Sequence, residues 1–84
     1  MNQLEKKVVK TIAEKLNIDE SRVIAEASIM EDLGADSLDS VDIIMALEEE
    51  FEIDIPEEDA QKIITVQNAF DYVSSKATDT ADSH

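Results

Sequence analysis

Apolar residues recur at spacings of three to five near the start of the chain, at Leu4, Val8, Val9, Ile12, Ala13 and Leu16. This rhythm predicts an amphipathic helix, with Asn17 as its stop. The rhythm then breaks. Residues 17–36 hold only scattered apolar anchors, Ile18, Val23, Ile24, Ile29 and Leu33, so a long first loop is expected. Within it, Asp19 suits the cap of one short turn and Ser28 that of another ahead of Glu31. Helical periodicity returns over residues 37–50, where Asp36 suits the N-cap and Asp39 stands three residues on in a capping-box-like pair. Gly34, the only glycine, lies just before that start, where a backbone conformation unfavourable to side chains is expected. Ile55-Pro56-Glu57-Glu58 marks a third start, with proline at the first helical position and acids in the first turn. That helix should be short, ending near Lys62 or Ile63. Thr65 caps a fourth, which carries Val66, Ala69, Phe70 and Val73 and ends near Lys76. The expected fold is all-α: a small bundle of three main helices plus one short helix. Residues 1–77 form one domain, and 78–84, which lack large apolar groups, form a disordered tail.

Projected at about 100° per residue, the second helix divides its apolar residues into two arcs. Ser40, Ile43, Ile44, Leu47 and Phe51 form an ordinary core stripe. Leu38, Val41 and Met45 lie on roughly the other side, with Asp42 and Glu49 along one edge and Glu48 and Glu52 along the other. Two readings fit this second arc. A small bundle could wrap the helix on most sides, or the arc could be a docking face, apolar in the middle and charged at the rim.

Charge changes the weight of those readings. Of 21 acidic residues in the 84-residue chain, 14 lie between Val23 and Gln61, where there is no Lys or Arg. The flanks nearly cancel, so the net charge of −14 belongs almost entirely to this stretch. The carboxylates of the second helix have no basic neighbour within it, and stay free for Lys and Arg of another protein. The sign argues against a nucleic-acid-binding role, which needs the opposite charge. With no cysteine and a single histidine at the last position, His84, neither a disulfide framework nor a His-based catalytic or zinc site is expected. No apolar run approaches the roughly 18 residues of a membrane span, and the simplest expectation is a soluble, monomeric protein of the cytoplasm.

Ser37 sits at the start of the second helix, inside the acidic stretch. A serine there is ordinarily a cap, but Asp36 already fits that task and leaves the hydroxyl spare. A helix N-terminus also holds phosphate well, through free N–H groups and the helix dipole. Position alone does not separate a phosphodiester from phosphorylation by a kinase. A triad nucleophile is excluded for want of a base.

The run Asp32-Leu33-Gly34-Ala35-Asp36-Ser37-Leu38-Asp39-Ser40-Val41, followed by Met45-Ala46-Leu47-Glu48-Glu49-Glu50-Phe51 and Ile55-Pro56, closely resembles the acyl carrier proteins of dissociated (type II) bacterial fatty acid synthesis. The resemblance spans roughly residues 3–76. It implies that Ser37 carries 4′-phosphopantetheine, added from coenzyme A by a carrier protein synthase (a phosphopantetheinyl transferase), and that the thiol of that arm holds the acyl chain as a thioester. A working thiol would then be imported into a chain that has none. Asp36 matches the aspartate beside the attachment serine. Leu38, Val41, Asp42, Met45, Glu48 and Glu49 match the face that docks basic patches of malonyl transferase, ketoacyl synthases, reductases, dehydratase and acyltransferases. Ile55 and Glu57 match further partner-contact positions. Ile43, Leu47, Phe51, Ala60 and Ile63 match residues beside which acyl chains tuck between the helices.

Some positions depart from the family pattern. Gln61 replaces a frequent glutamate, Asp42 is one methylene shorter than the usual glutamate, and Ser40 stands for a frequent threonine. None touches Ser37, so they bear on partner preference. The expectation is a non-catalytic carrier in fatty acid synthesis, with a carrier for polyketide, D-alanine or another specialised pathway as the alternative. The acid content also invites comparison with calcium-binding proteins, but Asp32-Leu33-Gly34-Ala35-Asp36 lacks the ligand spacing of an EF-hand loop.

Overall fold

The computed structural model describes the backbone of residues 2–82 and the side-chain surroundings of residues 2–76. Four helices follow in order: α1 (Gln3–Leu16), α2 (Ser37–Phe51), α3 (Glu57–Ala60) and α4 (Val66–Asp82), with a 3₁₀ turn at Glu20–Arg22 inside the long first loop. The all-α, acyl-carrier-like fold is the one expected.

Both long N-terminal helices begin with a reciprocal cap. At α1, Asn2 Oδ1 accepts the Glu5 N–H at 2.8 Å while Glu5 Oε1 accepts the Asn2 N–H at 3.3 Å. Both also end on a left-handed residue, Asn17 (φ 57°) for α1 and Glu52 (φ 54°) for α2. In each case the following residue reaches back five positions, Ile18 N–H to Ala13 O at 3.0 Å and Ile53 N–H to Glu48 O at 3.1 Å. Asparagine tolerates that conformation better than glutamate does.

Two boundaries differ from expectation. Pro56 caps α3 from outside instead of occupying its first helical position, and α3 stops at Ala60, followed by a turn through Lys62. Proline has no side-chain acceptor to offer, and none caps this helix. The helical backbone of α4 runs on to Asp82, past the end expected near Lys76. No glycine or proline interrupts residues 77–82, and Ala77 and Ala81 are good helix formers. Of the disordered tail expected for 78–84, the backbone of 78–82 thus belongs to α4, and residues 83–84 lie outside the described residues.

The core joins α1, α2 and α4 through Val8, Ile12, Ile43, Leu47, Val66 and Val73, all essentially sealed from solvent. Full burial of one such side chain contributes about 1.5–3 kcal/mol. The long loop is part of this core, since Val23, Ala27, Ile29, Leu33 and Ala35 are buried in it. Ile24, expected as an anchor, is exposed instead, because its neighbour Val23 takes the inward position. The loop is also stapled to the start of α4: Ile29 N–H donates to Ile64 O at 2.9 Å, and Val66 and Gln67 N–H donate to Ala27 O and Ala25 O, both at 3.0 Å. Thr65 Oγ1 accepts the Asn68 N–H at 3.1 Å, and Asn68 Oδ1 returns the favour to Thr65 N–H at 3.0 Å, which caps α4 as expected. Whereas α1 packs broadly on α2 and α4, α3 has no comparable helix–helix interface.

Candidate functional site

Ser37 is the first residue of α2 and is exposed. Asp36 does the capping: its Oδ1 accepts the Asp39 N–H at 2.9 Å, and Asp39 Oδ2 accepts the Asp36 N–H at 3.3 Å. The first turn closes with Ser40 N–H on Asp36 O at 2.9 Å, so the N–H groups of Ser37 and Leu38 precede the helical ladder. Among the described residues no hydrogen bond engages the Ser37 hydroxyl. A free hydroxyl therefore stands at the positive end of a 15-residue helix.

The loop that delivers Ser37 is fixed by a local knot. Ser28 N–H donates to Asp32 Oδ2 at 2.7 Å, Ser28 Oγ accepts the Glu31 N–H at 3.3 Å, and Ser28 O accepts from both Asp32 and Leu33 N–H. Arg22 Nη2 adds a bond to Asp32 O at 3.3 Å. Gly34 then turns the chain at φ +80°, with open space where a Cβ would stand. The glycine is required by backbone conformation and not by crowding. Asp32 and Arg22 were given no structural role from the sequence. A carboxylate four residues after a serine was the available signal for the first; the second had none.

The three apolar residues of the second arc are on the surface, Leu38 at 76%, Val41 at 53% and Met45 at 54% exposure, while Ile43 and Leu47 are at 1% and 0%. The bundle does not wrap α2 on both sides. Asp42, Glu49 and Glu52 are exposed along the edges of the strip. Glu48 departs from the expectation of unengaged carboxylates: it is half-buried, and its Oε2 accepts the Ile55 N–H at 2.8 Å. Glu57 is exposed, but Ile55 is buried in the core, where no partner reaches it without movement.

Ile43 and Leu47 lie in the sealed core, and Phe51, Ala60 and Ile63 pack half-buried against it. The five are thus brought onto one apolar body. Surface depressions occur elsewhere, one beside Arg22, Ile24 and Leu33 and another beside Thr11, Ala46 and Glu50.

Tyr72 Oη donates to Asp59 Oδ2 at 2.8 Å, joining α4 to α3, and Lys76 Nζ lies 5.5 Å from the centre of the Tyr72 ring. Burial, the Asp59 hydrogen bond and the negative charges of Asp59, Asp54 and Glu48 push the phenol up to about 12. This contact was not foreseen. Among the described residues, no three His, Cys, Asp or Glu side chains converge to hold a metal ion.

A small helical body that presents a capped helix start from an ordered loop is the architecture of a carrier domain. Residues 6–73 match the family described as phosphopantetheine attachment site, and the chain belongs to that family. It is therefore a carrier protein, a non-catalytic type of domain to which 4′-phosphopantetheine is attached covalently, and such domains work with synthases, transferases and other enzymes. Among the described residues no helix is long and apolar enough to cross a membrane.

Proposed function

We propose that Ser37 is the residue that carries the arm, and that the protein delivers growing fatty acyl chains to the enzymes of type II fatty acid biosynthesis. The observation that carries this reading is the unpartnered Ser37 hydroxyl at the start of α2, with capping assigned to Asp36. The residues present fit the group. The Ser37 and Leu38 N–H groups and the α2 dipole would sit beside the phosphodiester, and they favour its negative charge. The arm supplies a terminal thiol, which the cysteine-free chain itself lacks.

The chain's own residues provide placement and recognition. Asp36 and Asp39 fix the helix start, and the Ser28–Asp32 knot fixes the approach to it. Leu38, Val41 and Met45 supply an apolar strip for the enzymes that load and process the cargo, and Asp42 and Glu49 meet their basic patches. The resemblance of residues 32–41 and of the Glu48-Glu49-Glu50 run to type II fatty acid carriers supports this pathway.

Intact mass after incubation with coenzyme A and a carrier protein synthase should show one added phosphopantetheine, and none on Ser37→Ala. A full adduct on the alanine variant would overturn the site. Elongation of an acyl group on the loaded protein by type II ketoacyl synthase, reductases and dehydratase tests the pathway; a loaded protein that none of them accepts refutes it.

A further inference from the structure

The core of this protein is built from side chains that peroxides leave alone. Among the described residues it holds Val, Ile, Leu, Ala and Phe70, with Thr11 as its one polar member, and no methionine. The chain has neither cysteine nor tryptophan. Its described thioethers lie outside: Met30 is 50% and Met45 54% exposed, and neither belongs to the core or to the half-buried residues packed on it. Met45 stands one turn after Val41 in the exposed strip of α2, whereas Met30 is in the long first loop.

We propose that Met45 is a modification site at which a peroxide switches the docking strip off without unfolding the bundle. The proposal rests on the docking reading above and gives it a means of regulation. The thioether sulfur attacks one peroxide oxygen, and the S–O bond forms as the O–O bond breaks. The departing hydroxide takes the proton of the new S–OH group and leaves as water, so sulfur is oxidised by two electrons and the peroxide reduced. A methionine sulfoxide reductase reverses the step, with two thiols becoming a disulfide as the oxygen leaves as water. Peroxides are uncharged, so the neighbouring Asp42 and Glu49 do not repel them. The product sets a polar, hydrogen-bond-accepting oxygen beside Leu38 and Val41. Docking then buries that oxygen against a surface shaped for three apolar side chains, and a buried acceptor without a donor is costly. The fold is spared because Met45 is not among the residues packed on the core. Met30 is the internal control, with nearly the same exposure and chemistry but no place in the strip.

Binding of the full chain to carrier protein synthase, before and after hydrogen peroxide, tests this, with the added oxygens located by peptide mass. The chain is used without its arm, whose thiol would itself be oxidised. The parent, Met30→Leu and Met45→Leu are each compared with their own unoxidised form. Oxidation should raise the dissociation constant of the parent and of Met30→Leu about five-fold or more, and that of Met45→Leu less than about two-fold. A reductase with a dithiol should restore the parent. Equal affinity of the parent before and after complete Met45 oxidation overturns the switch, and so does an equal loss in Met45→Leu, which would move the effect to Met1 or Met30. Melting temperatures should agree within about 2 °C before and after oxidation. A much larger fall confined to chains that keep Met45 assigns the loss to unfolding and overturns the proposal. Resonances of Leu38 and Val41 report docking of the unoxidised parent. If they do not shift, the docking reading fails and the switch with it, while the phosphopantetheine mass assay judges the attachment site separately.

Discussion

Helices α1 and α2 are nearly equal in length, start with the same reciprocal cap and end on the same left-handed turn, yet they follow opposite rules elsewhere. The first places Lys15 in its last turn and buries a full stripe from Val8 to Ala13. The second has no base in its last turn, sets Glu48, Glu49 and Glu50 against the negative end of its own dipole, and seals only Ile43 and Leu47. It also leaves three large apolar side chains in water. Local propensity, charge and burial agree in α1; in α2 charge and burial both work against the isolated fold. Such disagreement concentrates where a surface is kept for something outside the chain. Helix α1 serves the bundle, whereas α2 has the exposed apolar and acidic surface on which docking is proposed.

Truncation should expose that difference most sharply. Leu47→Ala should destabilise the protein by about 2–5 kcal/mol in urea unfolding, whereas Leu38→Ala should stay within about 0.5 kcal/mol. A large loss for Leu38→Ala would mean that the outer strip is core after all. Next in size is the charge contrast. Glu49→Lys should weaken binding to a partner enzyme more at low than at high salt, while raising thermal stability through relief at the α2 C-terminus, by about 0.3–1 kcal/mol. A substitution that weakens binding equally at all ionic strengths would deny the carboxylate an electrostatic part.

The last effect, confined to alkaline pH, concerns α4 and α3. Tyr72, the only tyrosine, has its phenol raised from 10.0 to about 12 in the folded protein, so it contributes stability that is fully present below pH 10 and is lost as pH rises through about 12. Tyrosinate absorbance should therefore titrate late in the native state, and Tyr72→Phe should flatten the alkaline decline in stability. An ordinary titration near 10 would remove the Asp59 contact from the account.

What the sequence displayed was whatever period and caps encode. Three long helices, the N-caps of α2 and α4 and the two-faced character of α2 could all be read from spacing, because each is a local pattern; the Asn2 cap of α1 was not read. The inward role of the long loop was only partly legible: Val23, Ile29 and Leu33 were visible as anchors, but Ile24 was indistinguishable from them by residue type. Tertiary hydrogen bonds were not legible at all. Glu48 with Ile55 and Tyr72 with Asp59 join residues seven and thirteen apart, and no periodicity marks them. The same holds for the Ser37 environment, where the capping division was readable while the contribution of Arg22 to the loop was not.

The staple between residues 25–29 and the start of α4 has a consequence for the order of assembly. Segments that meet at such sequence separation come together late, since the loop between them has to close first. The N–H of Ile29 and the carbonyls of Ala25 and Ala27 find their partners only in residues 64–67, which leave the ribosome after Ser37 has already emerged. A chain halted before Thr65 would keep the local Ser28–Asp32 knot but lack the bonds that tie residues 25–29 to α4. The setting of Ser37 thus depends on a segment that is synthesised after it.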